Sequence, residues 1–243
     1  MAEYSFKIKE KKEVAEHTLA LWLDTSNSGL SFTAGQFVDL EIEKLKYKDG
    51  KGNMRPFSIA SSPNHKDYIL IASRIRDTGF KKTLEELKVG SKIKVMGPMG
   101  NFVLHKDPSK PVIILTGGIG ITPFRSIIEY ATEEKLPHKI YLFYSNKTKN
   151  STAFLDDLEK WGGENKNLRI IPTITEEQEN KGWGYEYGRI GMDMIKKYVP
   201  ESGIKEGVFY IAGPPGMVGE LSKMLTKNVI SGDNIKTEDF IGY

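Results

Sequence analysis

The chain has 243 residues, enough for two domains of about 100–140 residues each. Its 35 basic and 32 acidic residues give a net charge of +3, and so even a balance argues against nucleic-acid binding. It contains no cysteine, which excludes disulfides, thiolate-bound iron–sulfur clusters and a cysteine nucleophile within the chain.

Alternating apolar and polar residues predict short strands through the first hundred residues. The apolar positions of these segments are Tyr4, Phe6 and Ile8, then Leu19, Leu21 and Leu23, then Phe37, Leu40 and Ile42, then Ile69 and Ile71, and then Ile93 and Val95. Strands spaced by about 10–20 residues are typical of an antiparallel barrel or sandwich. One helix is predicted among them, over residues 80–87.

The pattern changes after residues 105–111, a polar segment with two prolines that we interpret as a linker. Residues 112–115 form a continuous apolar run, as expected for a strand covered on both faces. Helices and strands then alternate, which predicts an α/β domain with a parallel sheet. The predicted helices cover residues 123–135, 152–161, 192–198 and 215–227, and the predicted strands cover residues 140–144, 168–172 and 208–212.

A glycine-rich turn follows the first of these buried strands. It reads Thr116-Gly117-Gly118-Ile119-Gly120-Ile121-Thr122-Pro123. Glycines let a backbone turn sharply and approach a ligand closely, and the amides at a helix N-terminus suit a pyrophosphate. We expect Thr122 to cap the helix and Pro123 to occupy its first position. The same residues are also compatible with a plain strand-to-helix turn.

A second turn, Ala212-Gly213-Pro214-Pro215-Gly216-Met217, follows another buried strand. Taken alone, it could simply start a helix, with Met217 in the core. Both turns lie at the carboxyl ends of predicted parallel strands, however, and open α/β sheets bind ligands there. Their joint occurrence favours a ligand site.

A third motif, Arg55-Pro56-Phe57-Ser58, lies in the first half of the chain. Arg55 offers a fork of donors that suits phosphate, Phe57 a flat apolar face, and Ser58 a small hydroxyl. Taken alone, the motif also fits a strand whose Phe57 is in the core and whose Arg55 is solvated.

In this order and at these distances, the three motifs resemble the ferredoxin–NADP reductase family, and the resemblance covers nearly the whole chain. It implies an antiparallel β-barrel that binds FAD over residues 1–107, followed by an α/β domain that binds NAD(P) over residues 108–243. It also implies hydride transfer from NADH or NADPH to FAD, and then electron transfer to a separate acceptor.

The resemblance assigns roles to the residues of the motifs. Arg55 would pair with the flavin phosphate, Phe57 would pack on the isoalloxazine where tyrosine is commoner, and Ser58 would bond near flavin N5 as the catalytic position. The family's further flavin segment is similar to Thr78-Gly79-Phe80-Lys81, whose backbone amides would meet the phosphates. The implied cofactor residues are Arg55, Pro56, Phe57, Ser58, Thr78, Gly79, Phe80, Lys81, Thr116, Gly117, Gly118, Gly120, Thr122, Pro123, Gly213, Pro214, Pro215 and Met217.

A C-terminal aromatic residue lies near the flavin in related reductases, and either Phe240 or Tyr243 would fill that place here. An exposed tail is the alternative. The chemistry needs no metal site, and the four histidines form no ligand-like cluster in the sequence.

Three other functions stay open at this point. One is a reductase that takes free flavin as a substrate, a second is an electron-transfer subunit of a larger complex, and a third is a nucleotide sensor without catalysis. The lysines around the flavin segments would suit an acidic redox protein as the acceptor, although a solvated lysine face is also compatible with them. These lysines are Lys44, Lys46, Lys48, Lys51, Lys81 and Lys82.

The second strand of the α/β domain ends Tyr144-Ser145-Asn146-Lys147, without the carboxylate that rejects a 2′-phosphate in many dinucleotide folds. We therefore expect NADPH to be accepted. The amino terminus lacks the apolar core of a signal peptide, and residues 112–115 are too few to span a bilayer. These two observations predict a cytoplasmic protein with no membrane span.

Overall fold

The computed structural model describes residues 2–176 and 182–240. The chain divides into two compact units. The first comprises Met1–Leu104 with Thr122–Tyr130, and the second comprises His105–Ile121 with Ala131–Tyr243.

The first unit is built on a six-stranded antiparallel sheet, as the alternating pattern predicts. Its strands are β1 Glu3–Ala15, β2 Thr18–Asp24, β3 Phe37–Glu41, β4 Met54–Ser58, β5 Tyr68–Arg74 and β6 Lys92–Met99. They lie in the order β4-β3-β6-β1-β2-β5. The N–H of Ala60, just after β4, donates to the carbonyl of Leu70 on β5 at 2.7 Å. This bond joins the two ends of the order, so the sheet closes on itself as a barrel.

Alternate residues of these strands fill the barrel, because successive side chains of a strand point to opposite faces. Phe6, Ile8, Leu21 and Leu23 are all buried in this way. Burial of one such side chain contributes about 1.5–3 kcal/mol. The helix α1, Gly79–Glu86, packs against the same core, with Phe80 and Leu84 buried.

The second unit contains a six-stranded parallel sheet. Its strands are β7 Val112–Gly117, β8 Ile140–Asn146, β9 Leu168–Ile174, β10 Glu186–Tyr187, β11 Val208–Gly213 and β12 Ile235–Asp239. The order is β10-β9-β8-β7-β11-β12, and every neighbouring pair is parallel. The chain builds the sheet in one direction from β7 and then returns to add β11 on its other side. The boundary between β7 and β11 is therefore the topological switch point.

The helices are α2 Ile121–Glu133, α3 Leu155–Glu164, α4 Met192–Tyr198, α5 Glu201–Glu206 and α6 Pro215–Lys227. The bounds of α4 and α6 agree with the predicted ones. The start of α3 was predicted too early, because Phe154 has a left-handed φ of 60° and cannot continue a helix. The sequence analysis missed α5, β10 and β12. The longest helices of the described residues have 13 residues each, and none of the described helices could cross a membrane.

A buried polar network fixes the segment that follows β4 in the first unit. The guanidinium of Arg125, on α2, donates to the carbonyl of Ala60 at 2.7 Å and lies 3.2 Å from the Glu129 carboxylate. Glu129 also accepts from the backbone N–H of Ser62 at 2.7 Å and lies 3.1 Å from His65 Nε2. Paired charges of this kind are tolerated in a core only when their hydrogen bonds are satisfied. The network thus anchors the chain directly after the Arg55–Ser58 motif.

Candidate functional site

The motif Arg55-Pro56-Phe57-Ser58 lies on β4. Pro56 is tolerated there because β4 has only one neighbour, β3, in the sheet order. Phe57 is 8% exposed and stacks on Phe80, with ring centroids 5.9 Å apart, so most of its surface belongs to the core. The guanidinium of Arg55 lies 5.4 Å from the centre of the Phe80 ring and donates to loop carbonyls, including that of Lys51 at 2.9 Å.

A cluster of positive charges surrounds the motif. Burial, together with the charges of Arg76, Arg55 and Arg74, lowers the pKa of Lys81 to about 8. These four residues come from β4, β5, the loop after β5 and α1. Bringing like charges together is unfavourable unless an anion offsets them, so the cluster fits a phosphate group. We call Arg55, Arg74, Arg76 and Lys81 the basic cluster. Arg55 and Lys81 were predicted from the motifs, whereas Arg74 and Arg76 lie in a segment that matched no motif.

The N-terminus of α1 differs in part from the expectation. The sequence analysis placed flavin phosphates on the backbone amides of Thr78–Lys81, but Gly79 N–H donates to the carboxylate of Asp49 at 2.7 Å. Lys81 N–H donates to Thr78 Oγ1 at 3.3 Å, which makes Thr78 the N-cap. These two amides therefore already have protein acceptors. Hydrogen bonds from Lys51 N–H and Gly79 N–H hold the pKa of Asp49 below its usual value, so a carboxylate anion occupies this helix end.

The glycine-rich turn after β7 takes the form of a short 3₁₀ turn, Gly118–Gly120, that leads directly into α2. Two details of the prediction for the start of α2 were wrong. Because α2 begins at Ile121, Thr122 lies inside its first turn rather than at its N-cap, and Pro123 is its third residue rather than its first. Proline is still compatible with this place, since the first four N–H groups of a helix have no partner within it.

The two glycine turns touch each other at the switch point. The Thr116 hydroxyl donates to the carbonyl of Ala212 at 2.8 Å. A Cβ on Gly120 would lie 2.5 Å from that same carbonyl oxygen and 2.8 Å from Gly213 Cα. The positive φ of this turn lies at Gly118, with φ 55°, and not at Gly120. Gly120 is thus required for close packing of the turns rather than for its backbone angle.

The second turn closes the crevice from the other side. Gly213 has φ 154°, a value open to glycine, and Pro215 is the first residue of α6. A Cβ on Gly117 would lie 2.5 Å from the Met217 sulfur, so Met217 packs on the first turn. Predicted cofactor residues from both turns are therefore neighbours here. A crevice at the carboxyl ends of parallel strands, beside two helix N-termini, suits a dinucleotide.

A cleft of about 530 Å³ lies beside this crevice, at the ends of β8 and β9. Its polar lining includes Ser145 and Thr175, together with an exposed ion pair of Arg189 and Glu220 at 3.4 Å. The apolar part consists of Ile190, Met217, Leu221 and Met224. Lys147, the cation expected here from the sequence, instead pairs with Glu176 at 2.6 Å. The size and lining suit one nucleoside.

A half-buried carboxyl group lies next to the second turn. Glu238 on β12 is opposite Ala212 in the strand register, and its Oε2 atom has no hydrogen-bond partner among the described residues. Burial raises the pKa of Glu238 to about 7. Glu238 was not predicted, because β12 carries too few apolar residues to be recognised as a strand from its sequence. Perturbed titratable groups in a crevice are candidates for functional residues.

The change Glu238→Gln should alter how stability depends on pH. The native state binds more protons than the unfolded state between the usual pKa of 4.5 and about 7, so stability falls as pH rises through this range. The glutamine variant has no carboxyl group to ionise at this place, so it should be more stable than the parent at pH 8 by about 1–3 kcal/mol. Urea denaturation at several pH values measures it. The control is Asp239→Asn, which removes an exposed charge from the same strand. If stability depends on pH equally in the parent and in Glu238→Gln, the pKa of Glu238 is not raised.

Of the two predicted C-terminal aromatics, Phe240 is half-buried, and its N–H donates to the carbonyl of Gly213 at 3.0 Å. This bond places Phe240 against the second turn. Tyr243 lies outside the described residues, and whether either ring meets a flavin stays a prediction.

Two known domain families match the chain. The oxidoreductase FAD-binding domain family matches residues 5–104, and the oxidoreductase NAD-binding domain family matches residues 114–223. The fold and these matches define a flavoprotein with one flavin-binding and one dinucleotide-binding domain. The chain belongs to the ferredoxin–NADP reductase-like family of flavoprotein oxidoreductases, whose members use NAD(P)H.

Individual relatives are distant. NADH-cytochrome b5 reductase 1 of Aspergillus terreus (strain NIH 2624 / FGSC A1156) is 28% identical over 231 residues, 90% of this chain and 75% of that protein. The propane 2-monooxygenase reductase component of Mycolicibacterium goodii is 27% identical over 213 residues, and these cover 86% of this chain but only 59% of the relative. The chain thus spans less than two thirds of some relatives.

The fold is also that of solved reductases. A ferredoxin NADP+ reductase from Neisseria gonorrhoeae, solved with bound FAD and NADP, matches with a TM-score of 0.79. The match covers 98% of both chains at 21% sequence identity, and it confirms the predicted architecture.

Proposed function

We propose that this protein is a reductase that passes hydride from NADH or NADPH to bound FAD and electrons onward to a separate acceptor. In this proposal residues 1–107 hold FAD and residues 108–243 hold the dinucleotide. The observation that carries it is the direct contact at the switch point between the turn after β7 and the turn after β11, beside a cleft of about 530 Å³. When bound, FAD supplies the hydride-accepting chemistry, and the protein binds, orients and shields the cofactors.

The basic cluster supports the flavin half of the proposal. Arg55 and Lys81 would bind the FAD phosphates, with Arg74 and Arg76 adding positive charge. Ser58, at the end of β4, would offer its hydroxyl to the flavin ring. Phe57 would contribute only the small part of its surface that remains outside the core. These roles fit the residue chemistry, because phosphates favour guanidinium and ammonium donors.

The two turns support the dinucleotide half. Glycine at position 120 lets the two turns pack closely, and the backbone of Thr116–Gly120 would then border the pyrophosphate. The start of α6 offers free amides and a positive dipole end for the pyrophosphate. Glu238, neutral below a pKa of about 7, would donate a hydrogen bond from its carboxyl group in the crevice.

For the electron acceptor, we propose only its chemical class. Relatives include a reductase component of a monooxygenase, which favours a second candidate, an electron-transfer subunit that works with a partner. An acidic redox protein remains our proposed acceptor. Of the six lysines expected to receive it, Lys46 pairs with Glu86, Lys82 pairs with Asp77 and Lys81 belongs to the basic cluster, which leaves Lys44, Lys48 and Lys51. The cytoplasmic location stays a prediction.

The purified protein should carry FAD. We expect a yellow protein whose flavin absorption bleaches on anaerobic addition of NADH or NADPH, and whose denaturation releases FAD identifiable by chromatography. Protein that is colourless and binds no added FAD would contradict the proposal. Binding of FAD only at micromolar concentration would favour the free-flavin reductase instead, and persistent co-purification of another protein would favour the electron-transfer subunit.

A further inference from the structure

The cleft at the ends of β8 and β9 is lined by two opposite charges, Arg189 and Glu220. Arg189 Nη1 lies 3.4 Å from Glu220 Oε2, and the two side chains are 83% and 71% exposed. An ion pair this exposed is held weakly, so either group can turn to a ligand at little cost. The pair is brought together from different parts of the second unit: Glu220 lies on α6, and Arg189 precedes α4.

Lys147 follows Ser145 closely in sequence but does not line the cleft, and its ammonium pairs with Glu176 at 2.6 Å. Within the described lining, Arg189 is thus the cation and Glu220 the carboxylate, beside the hydroxyls of Ser145 and Thr175.

We propose that Arg189 and Glu220 together set the choice between NADH and NADPH. This inference rests on the proposed function and names the determinants of its hydride donor. A guanidinium binds a 2′-phosphate through paired hydrogen bonds. A carboxylate accepts a hydrogen bond from a ribose 2′-hydroxyl and repels a phosphate at the same place. The two residues therefore act in opposite directions, and the intact pair accepts both dinucleotides.

Two variants separate these effects. Arg189→Met removes the guanidinium but keeps a long apolar side chain, and it should weaken NADP+ binding at least 10-fold while changing NAD+ binding less than 3-fold. Glu220→Gln should tighten NADP+ binding about 5-fold and weaken NAD+ binding. The control Lys223→Met removes an exposed cation from the same helix α6, outside the cleft lining, and should change neither constant.

The measurement is calorimetric titration of the full chain with NAD+ and with NADP+ at one ionic strength, which does not depend on turnover. In the parent protein, the affinities for NAD+ and NADP+ should differ by less than 100-fold, which corresponds to about 2.7 kcal/mol. If Arg189→Met weakens the binding of both dinucleotides equally, or if Glu220→Gln leaves the ratio of the two affinities unchanged, the inference about Arg189 and Glu220 is wrong while the proposed function still stands. A parent protein that binds neither dinucleotide overturns the proposed function as well.

Discussion

Replacement of Gly120 by valine is expected to abolish dinucleotide binding and to destabilise the second unit. A Cβ at this position would lie 2.5 Å from the Ala212 carbonyl oxygen and 2.8 Å from Gly213 Cα, both of them backbone atoms that cannot turn aside. One of the two turns must therefore move, and the contact between them must be lost. Overpacking of this kind costs about 3 kcal/mol, and a pyrophosphate site displaced by a fraction of an ångström loses its amide donors.

Flavin content and dinucleotide affinity distinguish this effect from general unfolding. We expect FAD to stay bound, because the basic cluster belongs to the first unit. Gly219→Ala is the control, since it adds a Cβ on α6 with no atom within 4 Å and outside the cleft lining. Thermal denaturation and titration with NAD+ and NADP+ measure the two effects. A Gly120→Val protein with the parent's stability and affinities would show that the turns do not form the site.

The affinity of the flavin-free protein for FAD should fall as the pH rises through about 8. Lys81 has its pKa lowered to about 8 by burial and by the neighbouring arginines, and a bound phosphate would raise it again. Above pH 8, binding must therefore take up a proton, and the association constant decreases by up to about 10-fold per pH unit. The same linkage makes the unliganded protein gain stability between pH 8 and 10.5, where the unfolded chain holds the proton more tightly.

Substitutions at Lys81 test whether this group is responsible. Lys81→Met should weaken FAD binding about 10-fold or more at pH 7, because one charged hydrogen bond is lost. The same change should remove the pH dependence of FAD binding. Lys81→Arg keeps the charge at every pH used, so it should bind FAD with a flat profile. Flavin fluorescence titrations between pH 7 and 9 supply the constants, and calorimetry in two buffers detects the proton uptake. A parent-like slope in Lys81→Met would assign the titration to another group.

Local patterns in the sequence were sufficient for the framework. The alternating residues of β1 and β2 fill a barrel because a strand exposes its two faces in turn, and β7 is apolar throughout because both faces of a parallel sheet are covered. The prolines and glycines at the ends of β7 and β11 fixed where helices start, to within a few residues. The short elements α5, β10 and β12 were missed, because they contain too few residues for a periodic pattern to stand out.

The sequence by itself thus determined the fold class of each domain and the positions of the three motifs, since both depend on residues that are adjacent in the chain. Only the tertiary structure decided which distant residues share a site. Arg74 and Arg76 reach Lys81 because β5 and α1 pack on one barrel, and Arg189 meets Glu220 because two segments of the second unit border one cleft. Likewise, the need for glycine at position 120 comes from Ala212, a residue on another strand. Packing and electrostatic contacts of this kind depend on distances in space, which spacing along the chain does not contain.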